Sequence, residues 1–224
     1  MKKVLLLIAI LFFQISNISA QESQMLSEFE KVKVFSGLTV QLTPSDQNKI
    51  EIEGNMSKEV MISQKKGALR LRLQVKNYFK RNNVNIKVYY TNPLLAVEAN
   101  ENSQVTFGQK LRQDEILLKA QEGSTIYCEG VFTQLTARSS AGSDITLGGE
   151  TVNQEVVVNT GGYVNGKEMK SKYTLINVNA GGKSIINASE EVDIKVRAGG
   201  RVTIYGNPKK MKQNTFIGGI IEIL

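Results

Sequence analysis

The side chains that can do chemistry are sparse in this 224-residue sequence, and histidine is absent. That absence removes His-based triads, the most frequent zinc ligand and the most frequent general base together. Cysteine occurs once, at Cys128, so no internal disulfide can form. With no histidine to activate it, this thiol reads as a small core hydrophobe. Glycan cleavage would need paired carboxylates, or acids on a metal with a basic group nearby. The four aspartates, Asp46, Asp114, Asp144 and Asp193, stand at unrelated positions of the pattern described below. Glu129, Glu150 and Glu168 can stack loosely on one flank, but nothing marks one as an acid and another as a base. No catalytic residue, cofactor or metal site is therefore assigned, and the Gly-rich calcium nonapeptide of some exported solenoids is missing.

Two groups combine cations with aromatic rings. Thr125, Asp144, Tyr163, Lys183 and Arg201 recur at intervals of 18 to 20 residues. If such positions stack, Lys183 and Arg201 lie about 5 Å apart, where like charges repel unless water or an anion intervenes. With Tyr163 alongside, they form a candidate shallow site for an anionic sugar; the plainer reading is a row of solvated turn residues. The segment VKNYFKRNN (Val75 to Asn83) sets Tyr78 and Phe79 against Lys80 and Arg81. It is a candidate loop for docking on a polyanion or a membrane surface, or else a hairpin tip whose rings fold back on the core.

Whether any of these residues meet depends on a repeat. Asn102, Gly123, Gly142, Gly161, Gly181, Gly199 and Gly218 are spaced by 21, 19, 19, 20, 18 and 19 residues. Three positions after each stand Val105, Ile126, Ile145, Val164, Ser184, Val202 and Ile221, and five after stand Phe107, Cys128, Leu147, Gly166, Ile186, Ile204 and Ile223. The residues between them are mostly polar, which is the period of two of a half-buried strand. Upstream, Val97/Ala99, Leu118/Ala120, Ala137/Ser139, Val156/Val158, Ile176/Val178 and Ile194/Val196 alternate in the same way. Each unit thus reads strand, glycine corner, strand, with the Gly-Ser or Gly-Gly pair expected to supply the positive φ of the bend. A unit this short cannot bury an apolar face alone, but stacked copies can. The pattern predicts an all-β chain, a parallel β-helix (β-solenoid) with coils of about 19–20 residues. Residues 101–224 form its regular coils, and 28–100, with looser spacing, its irregular first coils or else a small β-sandwich packed in front of it. An uncovered terminal coil would expose a strand edge, so a cap or homotypic association is expected; Ile220 to Leu224 is either that cap or the strand beneath it.

Lys2-Lys3, the apolar run Val4 to Phe13 and the small-residue end at Ala20 have the three parts of a secretory signal peptide. Cleavage after Ala20 leaves 21–224 as a single β-helix domain with 26 basic and 21 acidic side chains, lowering the net charge from +7 to +5. No later segment is long and apolar enough to span a bilayer as a helix. The mild basic excess favours an anionic polysaccharide or cell-surface polymer over nucleic acid for an exported chain.

The layout F-xx-V-x-V-xx-G-L-x-V-x-L (Phe29 to Leu42), then I-E-I-E-G (Ile50 to Gly54), G-A-L-R-L-R-L (Gly67 to Leu73) and the glycine repeats ending in I-Y-G-N-P (Ile204 to Pro208) resembles the putative auto-transporter adhesin, head GIN domain family of exported bacterial proteins. The resemblance implies a right-handed β-helix in the periplasm, on the outer cell surface or outside the cell. The expected function is a non-catalytic, adhesin-like interaction or structural module that meets a polymer or another protein. The alternative is a carbohydrate-binding or polysaccharide-cleaving β-helix acting on anionic glycans.

Overall fold

The computed structural model describes residues 22–74 and 84–224. The signal segment, and the loop candidates Tyr78, Phe79, Lys80 and Arg81, lie outside the described residues. The strands are β1 (Glu22–Met25), β2 (Lys31–Val34), β3 (Thr39–Pro44), β4 (Lys49–Gly54), β5 (Val60–Lys65), β6 (Ala68–Leu73), β7 (Val84–Tyr90), β8 (Ala96–Ala99), β9 (Gln104–Phe107), β10 (Leu111–Arg112), β11 (Glu115–Ala120), β12 (Thr125–Ser139), β13 (Asp144–Val158), β14 (Tyr163–Val178), β15 (Lys183–Arg197), β16 (Arg201–Tyr205), β17 (Lys210–Phe216) and β18 (Ile220–Ile223). A single 3-10 turn, Ser57–Glu59, interrupts them.

The regular part is a right-handed parallel β-helix. Each coil has two long sides that meet at the glycine corner, joined by a short third side. One long side stacks β8, β11, the second halves of β12 to β15, and β17. The other stacks β9, the first halves of β12 to β15, β16 and β18. The expected column is formed, since Val105, Ile126, Ile145, Val164, Ser184, Val202 and Ile221 pair in sequence along the axis. All but the last are buried. Burying one such aliphatic side chain is worth about 2 kcal/mol, and the column repeats that gain on each coil where the buried residue is Val or Ile, Ser184 being the polar exception.

The corners differ from the sequence expectation in which residue bends. Positive φ falls on the register residue and on the one before it, as at Ala141 (53°) and Gly142 (69°), and at Ala198 (48°) and Gly199 (73°). Two such residues in succession turn the corner amide along the axis, so the corners hydrogen-bond too. Gly142 N–H donates to Thr160 O at 3.2 Å, Gly161 N–H to Ala180 O at 3.0 Å and Gly181 N–H to Ala198 O at 3.0 Å. The second residue of each Gly-Gly pair is small for another reason. A Cβ on Gly162 would sit 2.7 Å from Ser139 O, and one on Gly219 2.6 Å from Val196 O. Where that residue is serine the hydroxyl is buried and bonded; Ser143 Oγ donates to Ala120 O at 2.7 Å or to Ser140 O at 2.8 Å.

Beyond the corner, β14 bulges between Asn165 and Lys170. Gly166 stands inside there, because a Cβ would come within 3.1 Å of Ile185 O, and buried Met169 lies beside it.

The first coils join the same stack out of chain order. β2 and β3 lie between β8–β9 on one side and β6–β7 on the other. Beyond β6 and β7 the direction reverses: β5 adds antiparallel to β6, β4 antiparallel to β7, and β1 antiparallel to β4. This end is therefore finished by antiparallel strands. At the other end, β18 (Ile220–Ile223) is the outermost strand among the described residues. Lys209-Lys-Met-Lys212 leads directly into β17 and takes part in its ladder.

Candidate functional site

Tyr163, Lys183 and Arg201 begin β14, β15 and β16, immediately after the corner, where alternation points them outward. The pairings Asp144 with Tyr163, Tyr163 with Lys183 and Lys183 with Arg201 set the four on consecutive rungs. They line an open depression of about 490 Å³ with Gly161, Gly162 and Thr203. The floor is shallow because the corner glycines carry no side chain there.

The electrostatics divide the two cations. Arg201 Nη1 donates to Glu222 Oε1 at 2.5 Å, a pair about half exposed on both sides, and Thr203 Oγ1 reaches the other carboxylate oxygen at 3.5 Å. Exposed pairs of this kind are worth little to stability, but they halve the free charge of the site. Lys183 makes no ion pair among the described residues, so its ammonium is the charge left for a ligand. Burial first, and the Asp144 carboxylate second, push the Tyr163 hydroxyl above its ordinary pKa, so it stays a neutral donor. The arrangement offers one free cation, one phenol and one carboxylate in a row, which can hold an anionic group flanked by hydroxyls. Sequence reasoning missed Glu222. It sits 21 residues after Arg201, diagonally across the last rung, and the register alone could have found it.

A second concavity runs along the edge between the third side and the β11 side. It consists of adjoining hollows of about 680 Å³ around Leu95, Arg112, Asp114, Phe132 and Val152, and about 310 Å³ around Asn153, Glu155, Tyr173, Leu175 and Asp193. Tyr173 and Leu175 are 47% and 40% exposed. Much of its charge is already matched, with Arg138 on Glu155 at 3.3 Å and Lys212 on Glu191 at 3.1 Å.

Glu129, Glu150 and Glu168 do not come together as a pair. Glu129 and Glu168 share a column but flank Gly148, and Glu150 lies in another column, between Val131 and Lys170. The Tyr127 hydroxyl donates to Glu129. Cys128 is fully buried, and burial, with a smaller push from Glu129, raises its thiol to about 12. Among the described residues no three His, Cys, Asp or Glu side chains gather as a metal site.

Residues 28–208 match the family model described as putative auto-transporter adhesin, head GIN domain. The chain belongs to this family. The head GIN domain thus spans the out-of-order first coils and the regular stack, up to the loop before β17. Solved structures share its fold. A putative adhesin from Bacteroides fragilis NCTC 9343 superposes with TM-score 0.78 at 18% identity, covering 93% of this chain and 98% of its own. A putative adhesin from Parabacteroides merdae ATCC 43184 gives 0.75 at 15% identity over the same shares. A protein from Parabacteroides distasonis ATCC 8503 described as a putative lipid binding protein gives 0.71 at 11%, again over 93% and 98%. A search of curated proteins finds no match. Among the described residues no helix is long and apolar enough to cross a membrane.

Proposed function

We propose that this head GIN protein is an exported, non-catalytic adhesive module of the cell envelope, and that its corner face holds anionic groups of a surface polysaccharide. The observation that carries this reading is the unneutralised Lys183 ammonium set between Tyr163 and Arg201 on consecutive rungs. A rigid stack presents these groups at a fixed spacing of about 4.8 Å, so little side-chain ordering remains to be done on binding. Membership of an adhesin-like family supports a surface role, and the three-part leader supports export.

The test is retention of the exported chain on a panel of uronic-acid and phosphate-bearing glycans. Wild type is expected to bind, Lys183→Glu to lose at least tenfold in affinity, and Arg201→Gln to lose less, because Glu222 already occupies it. Equal binding by wild type and Lys183→Glu moves the site elsewhere. Release of shortened oligosaccharides by purified protein overturns the non-catalytic part and favours the polysaccharide-cleaving alternative.

A further inference from the structure

The two ends of the solenoid are finished differently. At the β6–β7 end, antiparallel β5 and β4 satisfy the outward main-chain groups of the last parallel strands. At the other end, β17 and β18 pair inward with β15 and β16, and their outer edges meet no strand among the described residues. The side chains there break the rule of the stack. Inward positions that hold Val192, Ile194 and Val196 one coil earlier become Met211, Gln213 and Thr215. Apolar residues stand outward instead: Phe216, Ile217 and Leu224 are 61%, 69% and 70% exposed, and Ile223, in the inward column above Ile204, is 52% exposed. Ile217 also has φ of 45°, a conformation that a β-branched residue rarely accepts. That φ belongs to the corner, since Thr160 and Ala198 share it; what sets Ile217 apart is a large apolar side chain left exposed there.

We propose that this end is a self-association surface on which a second copy of the chain stacks tail to tail. Main-chain chemistry chooses the occupant. Two strand edges with open N–H and C=O groups need another strand, and a lipid surface would leave those groups without partners. Symmetry supplies the strands. β17 runs into the Ile217–Gly218 corner and β18 runs out of it, so a two-fold axis along the bisector of that corner lays β17 of each copy antiparallel to β18 of the other. That is the same antiparallel closure the chain makes for itself at its opposite end. The operation brings the two Ile217 side chains together on the axis. It uses the end of the stack, and Glu222, which pairs with Arg201 at the rim of the Lys183 depression, lies on the strand that enters the contact.

The test is sedimentation velocity of the exported chain over a wide concentration range, with hydrogen exchange on the same samples. The expected result is a reversible dimer in which amides of 210–216 and 220–223 gain protection as concentration rises. Ile217→Asn, which suits the left-handed conformation, is expected to weaken the dimer at least tenfold without lowering thermal stability. A chain that stays monomeric at every concentration overturns the proposal, as does a dimer that Ile217→Asn leaves intact. A monomer whose terminal amides gain protection only on phosphatidylglycerol vesicles also overturns it, and assigns the surface to lipid.

Discussion

At the residue scale, adjacent glycines do different work, and substitution separates the reasons. Gly161 has φ of 68° and open space where a Cβ would be, so Gly161→Ala pays only the left-handed conformation, about 1 kcal/mol. Gly149 has φ of 110°, and a Cβ would lie 2.0 Å from Gly130 O. Gly149→Ala combines strain with a backbone clash and is expected to cost about 3 kcal/mol. Urea midpoints of the two variants check the order, and near-equal losses would contradict it. Cys128 offers a pH test. Its thiol is raised in the folded state, so the native protein holds a proton that the unfolded chain releases at lower pH. Its stability contribution is complete below the unfolded thiol value of about 8.5 and falls as pH rises from there towards 12. Cys128→Val should flatten part of that decline in urea titrations between pH 8 and 10. Thiol alkylation at pH 8 should proceed only in denaturant.

At the element scale, the rung is the unit of stability. Ile145 is fully buried between Ile126 and Val164, and both neighbouring coils lean on it. Ile145→Ala should cost about 3 kcal/mol, since the parallel ladders above and below hold the cavity open. Thr146, which faces outward one residue later, should tolerate alanine within about 0.5 kcal/mol. A loss at Thr146 as large as that at Ile145 would mean that the alternation is wrong. The glycine corners and inward columns of β12 to β15 were legible because their period of about 19 residues repeats side-chain size and polarity together. The bulge in β14 was not, because its extra residues, one against β13 and three against β15, are partly offset at Ser171–Tyr173, and the overall spacing stays almost unchanged.

At the scale of the whole molecule, the stack is quasi-one-dimensional, so each coil is held by its neighbours and binding groups are spread along a rigid rod. Contact with a polyanion through Lys183 and the net positive surface should then weaken steeply with salt. Retention that survives raised ionic strength would point instead to the Tyr173–Leu175 hollow, where ring stacking and amide contacts dominate. That hollow was not legible in advance, because it forms where the third side meets the β11 side and its lining comes from separate coils.

The order of the first coils belongs to the tertiary structure in the same way. Val32, Val34, Val40 and Leu42 mark their strands by alternation, but any parallel coil can accept such strands on either of its edges. Only the packed molecule places β2–β3 between two later coils and turns β1, β4 and β5 into an antiparallel finish. The repeat, the inward columns and the stacking of Tyr163, Lys183 and Arg201 on consecutive rungs were all legible in the residue pattern, because a period of two within a period of about 19 leaves one consistent register. Packing decided which charges stay free and which strands are outermost among the described residues, because Glu222 neutralises Arg201 across coils and strand edges are satisfied only once every coil has a place.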